Sequence, residues 1–308
     1  MPKPNIKKIE TLTIRQSIEH INRTIRSKLP NKDADTVRIM EYVAELNETG
    51  ILQSFEKRLT PKQTARLHST IKRLQKDEPL EYITGISDFH GRRFYVTRDT
   101  LIPRVETETL VDFVIGYAQE KAYSARLISD NPKKKQTPIN IVDVGTGSGC
   151  IIISTALCLR GPFRYFATDI STKAVAVARR NVRTYALGRS IHLYHGNLLD
   201  PIDPTVTFDI VAANLPYIKK AQMTELAPSV KNFEPHLALD GGINGASLIR
   251  ELLIQTVDRI NPKGVIVLEA QPEVIETVNE FARRFYEKAH IYTAPDTFGV
   301  NRYVIVEC

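Results

Sequence analysis

The chain has 308 residues, 42% of them hydrophobic, which is enough to bury a large core and to form two domains. No apolar run approaches the roughly 20 residues needed to cross a bilayer, and MPKPNIKKIETL at the N-terminus lacks an apolar signal region. We therefore expect a cytoplasmic protein. Cys150, Cys158 and Cys308 form no CxxC pair and have no histidines at metal-ligand spacing, so we expect neither disulfides nor a metal.

The net charge of +7 is unevenly distributed along the chain. Residues 1–78 hold 16 Lys or Arg against 10 Asp or Glu, whereas the remaining residues hold 26 against 25. A basic N-terminal segment is typical of a protein with an acidic or nucleic-acid partner, and it is equally typical of a solvated helical surface.

The N-terminal segment, residues 1–78, is predicted to be a small helical domain. Thr60 and Pro61 resemble an N-cap followed by a first-turn proline, so a helix should begin near residue 60. The stretch DFHGRRFYVTRD, 88–99, predicts a β-hairpin within a linker spanning 79–104. Apolar residues at helical spacing mark three helices: Ile14, Ile18, Ile21 and Ile25; Ile39, Val43 and Leu46; Leu67, Ile71 and Leu74.

Residues 105–308 are predicted to form an α/β domain. The runs INIVDVG, FRYFATDI, FDIVAAN and GVIVLEA are typical of buried strands, and RYVIVEC adds a last one. An apolar helix at 110–117 precedes the strands, helical stretches lie between the strands at 151–159, 172–185 and 246–260, and SDNPKKKQTP at 129–138 predicts a loop. Strands that alternate with helices favour a parallel sheet covered on both faces.

Glycines occur at alternate positions in VDVGTGSG, 142–149, between a predicted strand and a helix. Such glycines let the backbone approach a ligand closely. The spacing departs from the dinucleotide fingerprint, which disfavours a pyrophosphate ligand. Asp169 ends the next strand, where a carboxylate can accept hydrogen bonds from ribose hydroxyls. Together the two features favour an adenosine-containing ligand, although either one alone is often only structural.

A further strand is predicted between FRYFATDI and FDIVAAN, so that Asn197 follows the third strand and Asn214 ends the fourth. Four candidate positions therefore share the carboxyl edge of the sheet, where open α/β sheets bind ligands. Cys150 lies at a helix start, but no base accompanies it, which disfavours a nucleophile. Asn214 opens the tetrapeptide Asn-Leu-Pro-Tyr. Because Pro216 ends strand pairing, the carbonyls of Asn214 and Leu215 need partners outside the sheet. These partners could belong to a substrate; alternatively, the tetrapeptide is a strand-ending turn with a packed tyrosine.

These motifs resemble those of class I S-adenosylmethionine-dependent methyltransferases. From about Pro79 onwards the chain is similar to the HemK/PrmC family of release factor glutamine N5-methyltransferases. The resemblance rests on segments that occur in family order: PLEYITG, DFHGRRFYV, LIPRVETE, IVDVGTGSG, NLPYI, FEPHLALDGG and GVNRYVIV.

The resemblance implies a Rossmann-like class I methyltransferase sheet with a small N-terminal helical domain and a linking β-hairpin. It implies S-adenosyl-L-methionine as cofactor, a peptide chain release factor as protein substrate, docking of that substrate on the helical domain, no membrane partner and a monomer. From their position, Arg104 and Glu106 either order a loop over the cofactor or form a salt-bridged helix start. The implied cofactor residues are Gly145, Thr146, Gly147, Ser148, Gly149, Asp169, Asn197, Leu198 and Asn214, and the implied catalytic and substrate-binding residues are Asn214, Leu215, Pro216 and Tyr217.

Leu215 departs from the family tetrapeptide, Asn-Pro-Pro-Tyr. The Asn-Leu-Pro-Tyr form also resembles adenine-N6 methyltransferases acting on nucleic acid, in which the same acceptors hold an exocyclic amine. LIPRVETE, FEPHLALDGG and the N-terminal position of the accessory helices disfavour that alternative. A second alternative, a non-catalytic binding protein with this fold, is disfavoured by the intact glycines, Asp169 and Asn214.

Overall fold

The computed structural model describes residues 11–128 and 137–308. Most of the loop predicted at 129–138 therefore lies outside the described residues. The chain divides after Gly85 into two compact units. Within the described residues, no helix has both the length and the apolar character needed to cross a membrane.

The first unit is a helical bundle. Thr13 and Thr60 each cap the start of a helix: the threonine hydroxyl accepts from the backbone N–H of the glutamine three residues later, and the side chain of that glutamine accepts from the threonine N–H. Pro61 occupies the first turn of the helix that Thr60 caps, as predicted. Isoleucines, leucines and valines from all five helices form one buried cluster. The helices are α1 (Ile14–Ile25), α2 (Lys32–Ala44), α3 (Glu48–Leu52), α4 (Pro61–Leu74) and α5 (Leu80–Thr84).

The second unit begins with the predicted hairpin and continues as an α/β domain, which confirms the predicted fold class. Its elements are β1 (Ile86–Phe89), β2 (Arg92–Tyr95), α6 (Thr107–Ile128), β3 (Ile139–Val144), α7 (Cys150–Cys158), β4 (Phe163–Asp169), α8 (Thr172–Thr184), β5 (Ile191–His195), β6 (Phe208–Ala213), α9 (Pro228–Phe233), α10 (Ser247–Thr256), β7 (Ile260–Glu269), α11 (Pro272–Phe285), β8 (His290–Pro295) and β9 (Asn301–Glu307).

The described strands β3 to β9 form one sheet in the order β5-β4-β3-β6-β7-β9-β8. The first five strands in this order are parallel, whereas β9 pairs antiparallel with both β7 and β8. RYVIVEC, predicted as a last strand, forms the antiparallel β9, and β8 was not predicted. The sheet is therefore mixed rather than parallel throughout. The reason is that a short turn joins β8 to β9, and such a connection cannot make a parallel crossover.

Both faces of the sheet are buried, as its apolar strands require. Residues of α6, α7 and α8 pack on one face, and residues of α10 and α11 pack on the other. The chain runs outward from β3 to β5 and then returns to the other side of β3 at β6. This reversal opens a crevice beyond the carboxyl ends of β3 and β6, the usual ligand position in such sheets.

Candidate active site

A cavity of about 280 Å³ lies at the carboxyl edge of the sheet. It brings together the ends of four parallel strands, β3 to β6, as the sequence predicted. Of the residues proposed from the sequence, the cavity is lined by Gly145, Thr146, Gly147, Ser148, Asp169, Asn197, Leu198, Asn214, Leu215 and Pro216.

The glycine loop after β3 is held by hydrogen bonds to the backbone of β4 and to the side chain of Asp143. The N–H groups of Gly145 and Thr146 both donate to the Thr168 carbonyl at 2.9 Å. Thr146 Oγ1 donates to Asp143 Oδ2 at 2.6 Å. Burial raises the pKa of Asp143 to about 7. Gly147 has a φ of +55°, and a Cβ there would meet no atom within 4 Å, so this backbone is accessible from the cavity.

Asp169 ties the second strand to this loop. Its Oδ2 accepts from the Gly147 N–H and its Oδ1 from the Ser171 N–H, both at 2.9 Å. Burial raises the pKa of this carboxyl. Each carboxylate oxygen has two lone pairs, so both can still accept a hydroxyl from a ligand.

Asn197 and Leu198 line the cavity at the end of β5. Asn197 Nδ2 donates to Glu251 Oε1 at 2.7 Å. Leu198 is buried with a φ of +44°. Ile170 and Leu248 line the same cavity. Together with Leu198 they form an apolar surface on which a flat ring can pack.

Asn214 lies at the end of β6 and is held by a buried chain of hydrogen bonds. Its Nδ2 donates to Thr107 Oγ1 at 3.0 Å, and this hydroxyl donates to Glu269 Oε1 at 3.2 Å. Neither Thr107 nor Glu269 was predicted from the sequence as a site residue. Thr107 belongs to LIPRVETE, which was the one available signal.

A second cavity of about 200 Å³ shares Leu101, Arg104, Asn214 and Ala238 with the first. Tyr217, the last residue of the tetrapeptide, lines this second cavity. Its other walls are mainly apolar: Ile218, Leu226, Val230 and Leu239. Asn214 therefore lies where the two cavities meet.

The segments LIPRVETE and FEPHLALDGG meet at the wall of the site. Arg104 Nη2 lies 2.5 Å from Glu234 Oε1, and only 4% of Glu234 is exposed. The Arg98 guanidinium lies 5.0 Å from the ring centroid of Phe233. The first contact joins LIPRVETE to FEPHLALDGG, and the second joins the residue three positions before LIPRVETE to FEPHLALDGG; Arg98 and both segments contribute to the lining of the cavity.

Two candidates from the sequence have other roles in the fold. Gly149 is not among the lining residues; it precedes α7, and a Cβ there would lie 3.1 Å from Ile153 and 3.4 Å from Ala178. It therefore permits α7 and α8 to pack closely. Burial raises the pKa of Cys150 to about 12, which keeps its thiol protonated and non-nucleophilic.

Comparison with known proteins supports these observations. The family model described as the PrmC N-terminal domain matches residues 16–85, and the one described as ribosomal protein L11 methyltransferase (PrmA) matches residues 124–261. The catalytic domain of hMettl16, solved in complex with MAT2A 3'UTR hairpin 6, has a TM-score of 0.51 at 14% identity and covers 80% of this chain and 81% of its own. That likeness shows the fold alone.

Two curated relatives match over nearly their whole length. The release factor glutamine methyltransferase of Geobacter sulfurreducens is 30% identical over 300 residues, covering 97% of this chain and 98% of its own. The one of Moorella thermoacetica is 32% identical over 292 residues, covering 94% and 97%. Fold and site define a class I methyltransferase, an enzyme whose cofactor is S-adenosylmethionine. The chain belongs to the family of release factor glutamine methyltransferases.

Proposed function

We propose that this enzyme transfers a methyl group from S-adenosylmethionine to the side-chain amide nitrogen, N5, of the glutamine in the Gly-Gly-Gln loop of a peptide chain release factor. The observation that carries the proposal is the position of Asn214 at the junction of two cavities. The larger cavity suits the cofactor, and the smaller suits a glutamine side chain, whose methylene groups match its apolar walls.

The residues around the larger cavity suit S-adenosylmethionine. Asp169 offers lone pairs to the two ribose hydroxyls, and Gly147 exposes its backbone without a side chain to block approach. Ile170, Leu198 and Leu248 offer an apolar surface for the adenine ring. When bound, the cofactor supplies a methyl group already activated by its sulfonium.

The protein has to orient a poor nucleophile, because the lone pair of an amide nitrogen is delocalised into its carbonyl. Asn214 Oδ1 and the Leu215 carbonyl accept no hydrogen bond from the described residues. Each can accept one N–H of the substrate amide and so orient its nitrogen for in-line transfer. Tyr217 lines the smaller cavity, where its ring can pack on the amide face. The excess proton of the product can leave to water.

Methyl transfer with labelled S-adenosylmethionine tests this proposal. We expect label in a purified peptide chain release factor and none in ribosomal RNA, because an adenine would have to unstack and bring its phosphates to the site. Label in RNA with the release factor untouched would overturn the proposal in favour of an adenine substrate.

Two variants link the signal to this site. Asn214→Ala should abolish transfer, since it removes one of the two acceptors for the amide. Asn301→Ala, at an exposed position at the start of β9, is the matched control and should leave transfer unchanged.

A further inference from the structure

An asparagine amide has two ends of nearly equal size and opposite chemistry. Only the oxygen can accept a substrate N–H; the NH2 end would repel it. If Asn214 binds the glutamine as proposed above, the protein must therefore specify which end of the Asn214 amide faces the substrate.

The Thr107 hydroxyl, which has a single proton to donate, determines which end of the Asn214 amide faces it. Because the Thr107 hydroxyl donates to Glu269 Oε1, it has only lone pairs left for Asn214. The amide end that faces Thr107 must then be the NH2 group, as the 3.0 Å contact from Nδ2 records. Oδ1 is consequently turned away from Thr107 and stays available.

Glu269 determines the direction of the hydrogen bond that it forms with the Thr107 hydroxyl. The register of β6 and β7 pairs Ala213 with Leu268, so Asn214 and Glu269 lie level at the ends of neighbouring strands. Glu269 is 1% exposed, and its Oε2 has no hydrogen-bond partner among the described residues. As an ionised carboxylate it can only accept, which obliges the Thr107 hydroxyl to donate to it.

We propose that Thr107 and Glu269 are positioning residues that orient the Asn214 amide with its oxygen toward the substrate. Neither residue needs to touch the substrate. The inference rests on the proposed function, because it assigns the two residues a purpose only if Asn214 holds a substrate N–H.

The ionisation of Glu269 adds a pH-dependent readout. The charged or titratable groups near its carboxyl are Arg104 and Glu106 before α6, Tyr217 after β6, and Arg302 and Tyr303 on β9. Burial is the largest influence and raises the pKa of Glu269 to about 7, so its carboxylate is lost as the pH falls through about 7. The neutral acid can donate to the Thr107 hydroxyl, which can then donate to Asn214 Oδ1. The Asn214 amide would then present its NH2 group, instead of its oxygen, to the substrate.

Substitutions at Thr107 test the inference directly. At pH 8 and saturating cofactor, Thr107→Val should lower kcat for the release factor by about 10- to 100-fold, because a misoriented amide misplaces the nucleophile. Thr107→Ser keeps the hydroxyl and should retain kcat within about threefold. Thr107 also lines the larger cavity, so the affinity for S-adenosylmethionine is measured by calorimetry, and in Thr107→Val it should fall by a smaller factor than kcat.

The pH profile provides a second test that a purely structural role would not affect. In the unaltered enzyme, kcat at saturating cofactor should fall as the pH is lowered from 8 to 6. Glu269→Gln should have a lower kcat at pH 8 and a shallower fall, because residue 269 no longer titrates whereas the buried Asp143 still does. Glu273→Gln, on an exposed residue of α11, is the matched control and should keep the original profile.

The outcomes separate this inference from the proposed function. Full kcat in Thr107→Val, together with loss of transfer in Asn214→Ala, would overturn the positioning role and leave the proposed function intact. Full transfer in Asn214→Ala would overturn both. An equal loss in Thr107→Ser and Thr107→Val, or an unchanged acid limb in Glu269→Gln, would also contradict the positioning role.

Discussion

Asp169 illustrates how one residue serves both the fold and the ligand. Its two oxygens accept backbone N–H groups from Gly147 and Ser171, so it fixes the glycine loop and the start of α8. The sequence predicted a ribose-binding carboxylate after β4, because an acidic residue at a strand end is a recognisable signal. The contact with Gly147 could not be predicted, since it depends on the relative positions of two loops.

Removal of this carboxylate should weaken cofactor binding. We expect Asp169→Ala to reduce the affinity for S-adenosylmethionine by about 1.5 to 3 kcal/mol, the range for losing charge-assisted hydrogen bonds. Calorimetry measures the change, and Asp203→Ala, at a surface carboxylate that contacts Thr205, is the control. Unchanged affinity in a folded Asp169→Ala protein would exclude Asp169 from the ribose site.

The loops after β3 and β6 meet through the one residue that departs from the family tetrapeptide. Leu215 is 4% exposed and packs into the core beside β3. A Cβ on Gly145 would lie 2.8 Å from Leu215 Cδ2, so the leucine side chain fills the space above the glycine. From the sequence, only the Leu215 carbonyl had an assigned purpose; the structure adds a packing contact.

Leu215→Pro separates the carbonyl from the side chain. The variant keeps the carbonyl and fixes φ, so turnover should be retained or raised. The free energy of unfolding should fall by about 1 to 3 kcal/mol, because apolar contacts over Gly145 are lost. Methyl-transfer rates and chemical denaturation measure the two effects, and Leu215→Ala, which lacks the rigid ring, is the comparison. Lost turnover in a correctly folded Leu215→Pro protein would show that the leucine side chain acts in catalysis.

The strength of the sequence signal follows the burial of each strand. The central strands β3, β4, β6 and β7 have continuous apolar runs and were predicted, whereas β8 was not. In β8 only Ala294 is buried, because the strand lies at the sheet edge, and its polar residues conceal the strand pattern. Contacts such as Thr107 with Glu269, 162 residues apart, also escape prediction because they depend on the register of neighbouring strands.

At the scale of the whole molecule, the boundary between the two units follows from packing. The sequence predicted a helical domain at 1–78 and a linker from residue 79. In the structure the first unit extends to Gly85, because Leu80 and Ile83 of α5 join the buried cluster of the bundle. The match to the PrmC N-terminal domain also ends at residue 85. Pro79, where the sequence places the start of the linker, immediately precedes α5.

The most direct test of the central claim is to locate the transferred methyl group by mass spectrometry. After incubation with this enzyme and S-adenosylmethionine, a release factor should gain 14 Da, the mass of one methylene unit, on the glutamine of its Gly-Gly-Gln peptide. Fragmentation should place the addition on the side-chain nitrogen, because Asn214 and Leu215 are arranged to accept the hydrogens of an amide. A methyl group on another residue, or an unmodified Gly-Gly-Gln peptide with active enzyme, would contradict the proposed function.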